Sequence, residues 1–144
     1  MKRLSILMVC FATLVLTSCG ALNTSSNSAA QAMGQTCGAA VLGLYQSYKA
    51  TGTINLTTGN NLTNALALAT CYTQLKANKD NKAYRSSFTN GLILSSAGLI
   101  TNQNASTFVN ALLSANGLAN LNANSTQQQN KAATTSMNNL LKTL

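Results

Sequence analysis

Apolar residues recur at helical spacing along most of the chain downstream of residue 28. From Ala29 onward they return every three or four positions, which predicts an amphipathic helix that ends near Gly52, a residue suited to a left-handed cap. The apolar positions of this helix are Ala30, Met33, Cys37, Val41, Leu44, Tyr45 and Tyr48. The following residues, 53–57, alternate briefly between polar and apolar, but no partner strand is evident, so we expect a loop.

A second helix is predicted after this loop, capped by Asn60 or Asn61. Its apolar residues cover nearly half of the helical surface, so we expect neighbouring elements to bury this helix on several sides. These residues are Leu62, Leu66, Leu68, Ala69, Tyr72 and Leu75. The polar stretch from Lys76 to Lys82 then separates the second helix from the third.

The third helix is predicted to begin at residue 80 or 81, and the fourth to run from about residue 104 to residue 116. Each is followed by a Gly-Leu pair that is typical of a helix stop, at Gly98 and at Gly117. The apolar positions are Tyr84, Phe88, Leu92 and Leu94 in the third helix and Phe108, Leu112 and Leu113 in the fourth.

A fifth helix is predicted to begin at Ser125, which has capping-box spacing to Gln128. Its apolar residues are Met137, Leu140, Leu141 and Leu144. The chain contains no proline, so nothing of that kind interrupts any of the five helices. The pattern therefore predicts an all-α fold, a compact bundle of four to five amphipathic helices over residues 29–144.

A similar five-residue word recurs in four of these helices. L-T-N-A-L, F-T-N-G-L, F-V-N-A-L and S-M-N-N-L begin at residues 62, 88, 108 and 136. In one interpretation Asn64, Asn90, Asn110 and Asn138 form a polar cluster that binds a sugar or a peptide. In the other, each word packs its outer residues against the core and points its Asn away from it. Helical geometry favours the packing interpretation.

Composition restricts the chemistry that this chain can perform. Nine basic residues face a single acidic one, Asp80, and the sequence has no His, Glu or Trp. General acid–base catalysis normally uses His or tuned carboxylates, and metal centres use His, carboxylates or several thiolates. We therefore expect no enzymatic activity, no metal and no cofactor. A catalytic site would need Asp80, the lone carboxylate, in a concave position.

The amino terminus has the pattern of an export signal. Lys2 and Arg3 form a positively charged start, and an uncharged apolar stretch follows from Leu4 to Thr17. This stretch has the length of a signal-peptide centre and is shorter than the roughly 20 residues that a membrane-spanning helix needs. We therefore expect a processed segment and not a transmembrane helix.

Leu16, Thr17, Ser18 and Cys19 resemble the lipobox of bacterial lipoproteins, a Leu followed by two small residues and Cys. The resemblance covers about the first twenty residues. It implies that the Cys19 thiol receives a diacylglyceryl group and that residues 1–18 are removed as a signal peptide. Cys19 would then be the acylated first residue of the mature chain, anchored by several acyl chains because one chain binds only marginally.

The residues after Cys19 bear on the location of the protein. The stretch 19–28 is small and polar without periodicity, which predicts a flexible tether. Gly20 stands where inner-membrane lipoproteins of enterobacteria carry Asp, and no acidic cluster of the kind associated with surface display follows. The resemblance therefore implies a bacterial cell-envelope protein that is lipid-anchored on the periplasmic face of the outer membrane.

Two cysteines remain in the domain after lipidation of Cys19 and loss of Cys10. An antiparallel pairing of the first two helices brings Cys37 and Cys71 to similar heights, and an exported protein enters a compartment that permits disulfides. We expect a disulfide between them, the alternative being two buried thiols. A redox-active role is disfavoured, because the chain has no C-x-x-C motif and no His.

A basic cluster of four residues lies within one ten-residue stretch, and it consists of Lys76, Lys79, Lys82 and Arg85. Such a cluster contacts anionic lipid head groups, lipopolysaccharide, nucleic acid or glycan, or it only keeps a polar turn solvated. Interleaved exposed aromatic residues and a nucleic-acid-binding fold are absent from the sequence pattern, so we expect no nucleic-acid partner.

These observations favour a membrane-anchored lipoprotein whose helical domain is a structural or protein-interaction module, with an envelope protein as its partner. The alternative is a carrier of a small apolar ligand. Its pocket would be lined by the aromatic residues Tyr45, Tyr48, Tyr72, Tyr84, Phe88 and Phe108.

Overall fold

A computed structural model describes residues 27–57 and 59–144 of the chain. In this part the protein forms five α-helices and one short 3₁₀ helix. The α-helices are α1 (Asn27–Thr51), α2 (Gly59–Ala77), α3 (Lys82–Ser95), α4 (Ala105–Leu113) and α5 (Gln127–Leu141), and the 3₁₀ helix (Asn116–Leu118) lies between α4 and α5. No strand occurs in these two ranges, and the predicted all-α bundle is confirmed.

The predicted signal peptide, residues 1–18, and the lipid attachment residue Cys19 lie outside the described residues. So does most of the predicted tether, although α1 already begins at Asn27, two residues inside the stretch predicted as tether. Within the described ranges, no helix combines the length and the apolar character needed to cross a membrane.

Helix α1 is the central element of the bundle, with α3 and α2 as its principal neighbours. Helix α2 runs antiparallel to it, since residues late in α1 meet residues early in α2: the Ser47 hydroxyl donates to Asn61 Oδ1 over 2.7 Å. Helices α4 and α5 contribute buried side chains to the same core. Its largest fully buried members are Leu44, Leu68, Tyr72, Leu75, Phe88, Leu92, Ile100, Phe108, Leu112, Leu118, Met137 and Leu140.

A disulfide joins α1 to α2, as the sequence predicts. Cys37 and Cys71 are bonded, their Cα atoms are 6.0 Å apart, and both side chains are fully buried. Closing a chain segment of 34 residues is worth about 3 to 4 kcal/mol by the loop-entropy relation. The bond therefore fixes the register of α1 and α2 at the middle of the bundle.

The contact between α1 and α3 depends on glycine. A Cβ atom on Gly34 would overlap the Phe88 carbonyl, and a Cβ atom on Gly91 would overlap the Gln31 carbonyl, so the two helix backbones touch directly. One turn further along, a Cβ atom on Gly38 would meet the Ser95 side chain. Only residues without a side chain permit such an approach.

The two helices in this contact are parallel. Gly34 faces the turn around Gly91, and Gly38, four residues later, faces Ser95, four residues later on α3. The Ser95 hydroxyl donates to the Gln35 carbonyl over 2.7 Å and reinforces the pairing. Helix α1 is therefore held by a covalent bond on its α2 side and by backbone contact on its α3 side.

The predicted helix stops are confirmed in part. Gly52 follows α1 with a φ of 74°, and its amide donates to the Tyr48 carbonyl over 2.7 Å. Gly98 also has a positive φ, 84°, and Ala97 before it has a φ of 50°. Buried Ser96 completes this turn, because its hydroxyl accepts the Ile100 amide over 3.1 Å. Both glycines thus end helices through left-handed backbone.

Gly117 does not act as the predicted left-handed stop. It lies inside the 3₁₀ helix, where a Cβ atom would overlap the Ala132 carbonyl of α5. Its amide donates to the Ser136 hydroxyl over 3.1 Å. The glycine is needed here for close packing against α5, and α4 ends earlier than predicted, at Leu113.

Three further details differ from the sequence prediction. The capping box of α5 is formed by Thr126 and Gln129, one residue later than predicted, because the Ser125 hydroxyl is used by the preceding turn. Asn61 lies within α2 and ties it to α1 instead of capping it. Leu94 is 66% exposed, because the buried face of α3 carries Phe88, Gly91 and Leu92 and Leu94 lies outside that face.

Replacing Gly34 with Ala tests the backbone contact. Ala normally stabilises a helix by about 0.5 to 1 kcal/mol relative to Gly. Here we expect the opposite sign, a loss of about 1 to 3 kcal/mol in the free energy of unfolding, because the new methyl group must push α3 away. The measurement is urea denaturation followed by circular dichroism.

Gly59→Ala is the matched control, since Gly59 is also helical but has open space around the position of a Cβ atom. Its stability should be unchanged or slightly raised. Equal stabilities of Gly34→Ala and Gly59→Ala would contradict the close approach of α1 and α3.

Candidate functional site

Carboxylate, thiol and imidazole side chains are scarce among the described residues. Asp80, the one acidic residue of the sequence, is exposed in the turn between α2 and α3. In the ranges 27–57 and 59–144, no group of three His, Cys, Asp or Glu side chains could hold a metal ion. Polar clefts and charged surfaces are the features of the described residues that could bind a ligand or a partner.

The six aromatic residues proposed to line a ligand pocket divide into two groups. Tyr72, Phe88 and Phe108 are buried in the core, and the other three are half-buried at its edge. The rings of Tyr84 and Phe88 stack with centroids 6.4 Å apart, and burial raises the pKa of the Tyr84 phenol. None of the six lines the cleft between α3 and α4 or the cleft between residues 53–57 and α5. The carrier hypothesis gains no support from this arrangement and stays a prediction.

The four asparagines of the recurring words occupy four different environments. Asn64 lies against Gly43 of α1, Asn90 lines a cleft between α3 and α4, and Asn110 is exposed. Asn138 accepts the Ile54 amide over 3.0 Å and donates to the Thr53 hydroxyl over 3.1 Å. The outer residues of the second and third words are buried, namely Phe88, Leu92, Phe108 and Leu112. This arrangement supports the packing interpretation.

The side chain of Lys76, in the last turn of α2, makes contacts within the domain. Its ammonium group donates to the Tyr72 hydroxyl over 2.6 Å and lies 5.0 Å from the centroid of that ring. The Tyr72 hydroxyl in turn donates to Asn116 Oδ1 over 2.8 Å. Lys76 therefore helps to brace α2 against the 3₁₀ helix, although its side chain remains exposed.

Lys82 and Arg85 open onto a cleft of about 380 Å³ between α3 and α4, which we call the α3–α4 cleft. Hydroxyl, amide and apolar side chains line the rest of this cleft. The remaining lining residues are Ser86, Thr89, Asn90, Ile93, Asn102, Ala105, Ser106 and Val109. No carboxylate lines this cleft, so its electrostatic character is basic.

A larger cleft of about 760 Å³ lies between the loop 53–57 and the first turns of α5, and we call it the far-end cleft. The loop is fixed there by Asn138, and buried Ile54 and Leu56 form its floor. Its rim carries amides, hydroxyls and one cation. These lining residues are Thr53, Asn55, Thr57, Gln127, Gln128, Asn130, Lys131 and Thr134.

The sequence did not predict the far-end cleft. The available signals were the concentration of Gln and Asn at the start of α5 and the short alternation in residues 53–57, two segments that are far apart in sequence. The basic cluster was predicted as a unit, but the structure divides it. Lys76 is engaged by Tyr72, Lys79 is exposed in the turn, and Lys82 and Arg85 line the α3–α4 cleft.

Comparison with models of protein families, with curated proteins and with solved structures finds no match for this chain.

Proposed function

We propose that the protein is a bacterial lipoprotein that is anchored through Cys19 and carries a helical interaction module, residues 29–144, in the cell envelope. The observation that carries this proposal is the buried Cys37–Cys71 disulfide of the domain. Structural disulfides persist in oxidising compartments, which a protein reaches by export. This agrees with the export signal and lipobox at residues 1–19, which the described residues do not include.

The proposed location is the periplasmic face of the outer membrane. Its support is the sequence after Cys19, where Gly20 stands in place of an aspartate and residues 21–28 carry no acidic cluster. Anchoring needs several acyl chains, because a single chain binds a bilayer only marginally. Cys19 is the position at which the lipobox resemblance places them.

The interaction partner that the domain suits best is another envelope protein, bound at the far-end cleft. Amides and hydroxyls along the rim offer both donors and acceptors, which match the main chain of a docked segment. Ile54 and Leu56, which are buried, line the same cleft and supply its apolar part. An apolar centre surrounded by a polar rim is the usual anatomy of a protein interface.

Replacing Cys19 with Ala tests the anchor. Without the thiol no diacylglyceryl group can be attached, so we expect incorporation of a clickable palmitate analogue to be lost and the uncleaved precursor to accumulate. Gel fluorescence and intact-mass measurement in the producing cell report both changes.

Cys10→Ala is the matched control, because Cys10 lies in the apolar centre of the export signal and should be removed with it. That variant should be labelled and processed normally. If Cys19→Ala incorporated as much of the palmitate analogue as the protein without substitutions, the proposed anchor would be contradicted.

Site-specific photocrosslinking tests the interaction module. A photoreactive residue at Gln128, on the rim of the far-end cleft, should give a discrete protein adduct in the native cell. The same residue at Asn110 is the control, since Asn110 is an equally exposed amide on α4. Mass spectrometry identifies the adduct. Identical adducts from both positions, or an adduct with glycan alone at Gln128, would contradict a protein partner in this cleft.

A further inference from the structure

The two ends of the bundle differ in their relation to the proposed anchor, on which this inference rests. Helix α1 begins at Asn27, eight residues after Cys19. Even a fully extended chain of that length reaches only about 27 Å. The domain is therefore held close to the bilayer, with the beginning of α1 as its point of attachment.

The turn between α2 and α3 lies at this same end of the bundle. Helix α2 is antiparallel to α1 and bonded to it at Cys71, so the residues after Cys71 run back toward the beginning of α1. Helix α3 is parallel to α1 and touches it at Gly91, so its first residues lie beside the first turns of α1. The end of α2, the turn and the beginning of α3 thus form one surface, which we call the tether end.

Positive charge is concentrated on the tether end. Of the seven basic residues downstream of Cys19, four belong to this surface, and they are Lys76, Lys79, Lys82 and Arg85. Only Asp80 opposes them. Of the other three, Lys49 lies in the last turn of α1 and Lys131 lines the far-end cleft, so these two are at the opposite end, and Lys142 directly follows α5.

Three of the four cations of the tether end are available to a ligand, since only Lys76 is hydrogen-bonded within the described part of the domain. Lys79 and Lys82 are exposed. Within residues 27–57 and 59–144, the side chains of Lys82 and Arg85 make no hydrogen bond or ion pair. Lys82 and Arg85 both lie in the first turn of α3, where positive charge is repelled by the helix dipole, and a bound anion would relieve that repulsion.

We infer that the tether end binds anionic phospholipid head groups of the membrane that holds the lipid anchor. The acyl chains supply hydrophobic binding. The four cations add an electrostatic attraction, which acts only close to the bilayer because the screening length is about 8 Å at physiological salt. The domain then stands with its basic surface on the bilayer. The far-end cleft, at the opposite end, faces away from the membrane and is open to a partner.

Vesicle binding by the unlipidated mature polypeptide tests this inference. The polypeptide begins at residue 19 and carries Cys19→Ser, so no acyl chain contributes. It should sediment with vesicles of equal parts phosphatidylglycerol and phosphatidylcholine, and not with pure phosphatidylcholine. High salt should release it, because the contact is electrostatic.

Two charge variants with the same net charge locate the contact. Lys79→Gln/Lys82→Gln should lower the partition coefficient onto the mixed vesicles about thirtyfold, as expected for the loss of two surface cations. Lys49→Gln/Lys131→Gln should lower it less than about threefold, because those cations lie beyond the screening length from the bilayer. Circular dichroism spectra should be the same for both, since the Lys79 and Lys82 side chains are exposed.

Equal losses in the two variants would overturn the inference, as would equal binding to both kinds of vesicle or binding that persists at high salt. These outcomes test the head-group contact and do not test the lipid anchor. Retained palmitate labelling of Cys19→Ala would refute the anchor, whereas the vesicle experiment contains no lipidated protein and reports only on the head-group contact.

Discussion

The structure depends on the direct contact between the backbones of α1 and α3. Gly34 and Gly91 leave no side chain between the two helices, so α3 must lie against α1 in one register. The disulfide fixes α2 on the other side of α1 with the opposite direction. Together these two constraints determine that the α2–α3 turn lies beside the beginning of α1 and that the loop 53–57 lies at the far end.

The helices and the disulfide could be predicted because the sequence pattern indicates both. Helical periodicity marks the buried face of each element, and the spacing of Cys37 and Cys71 fits an antiparallel pair. Helix ends were less predictable. The same Gly-Leu pair ends α3 through left-handed backbone at Gly98, yet at Gly117 it serves close packing against Ala132. The Gly-Leu pair alone does not indicate which role applies, because close packing at Gly117 depends on α5, which comes later in the chain.

The surfaces were harder to predict than the core. Leu94 fits the apolar pattern of α3 but is exposed, because the buried face of that helix carries Phe88, Gly91 and Leu92 and does not include Leu94. The basic cluster was visible in the sequence, but its position at the tether end follows only from the directions of α2 and α3. The far-end cleft combines a loop and a distant helix, so no single stretch of sequence could indicate it.

The assignment of a membrane end and a partner end follows from the parallel pairing of α1 and α3. The most direct measurement is a nuclear Overhauser spectrum of the unlipidated protein. Parallel packing predicts cross-peaks from the Gly34 α-protons to the Leu92 amide and from the Gly91 α-protons to the Gln35 amide. Absence of both, with cross-peaks from Gly38 to residues that precede Gly91, would contradict the account by placing α3 antiparallel to α1.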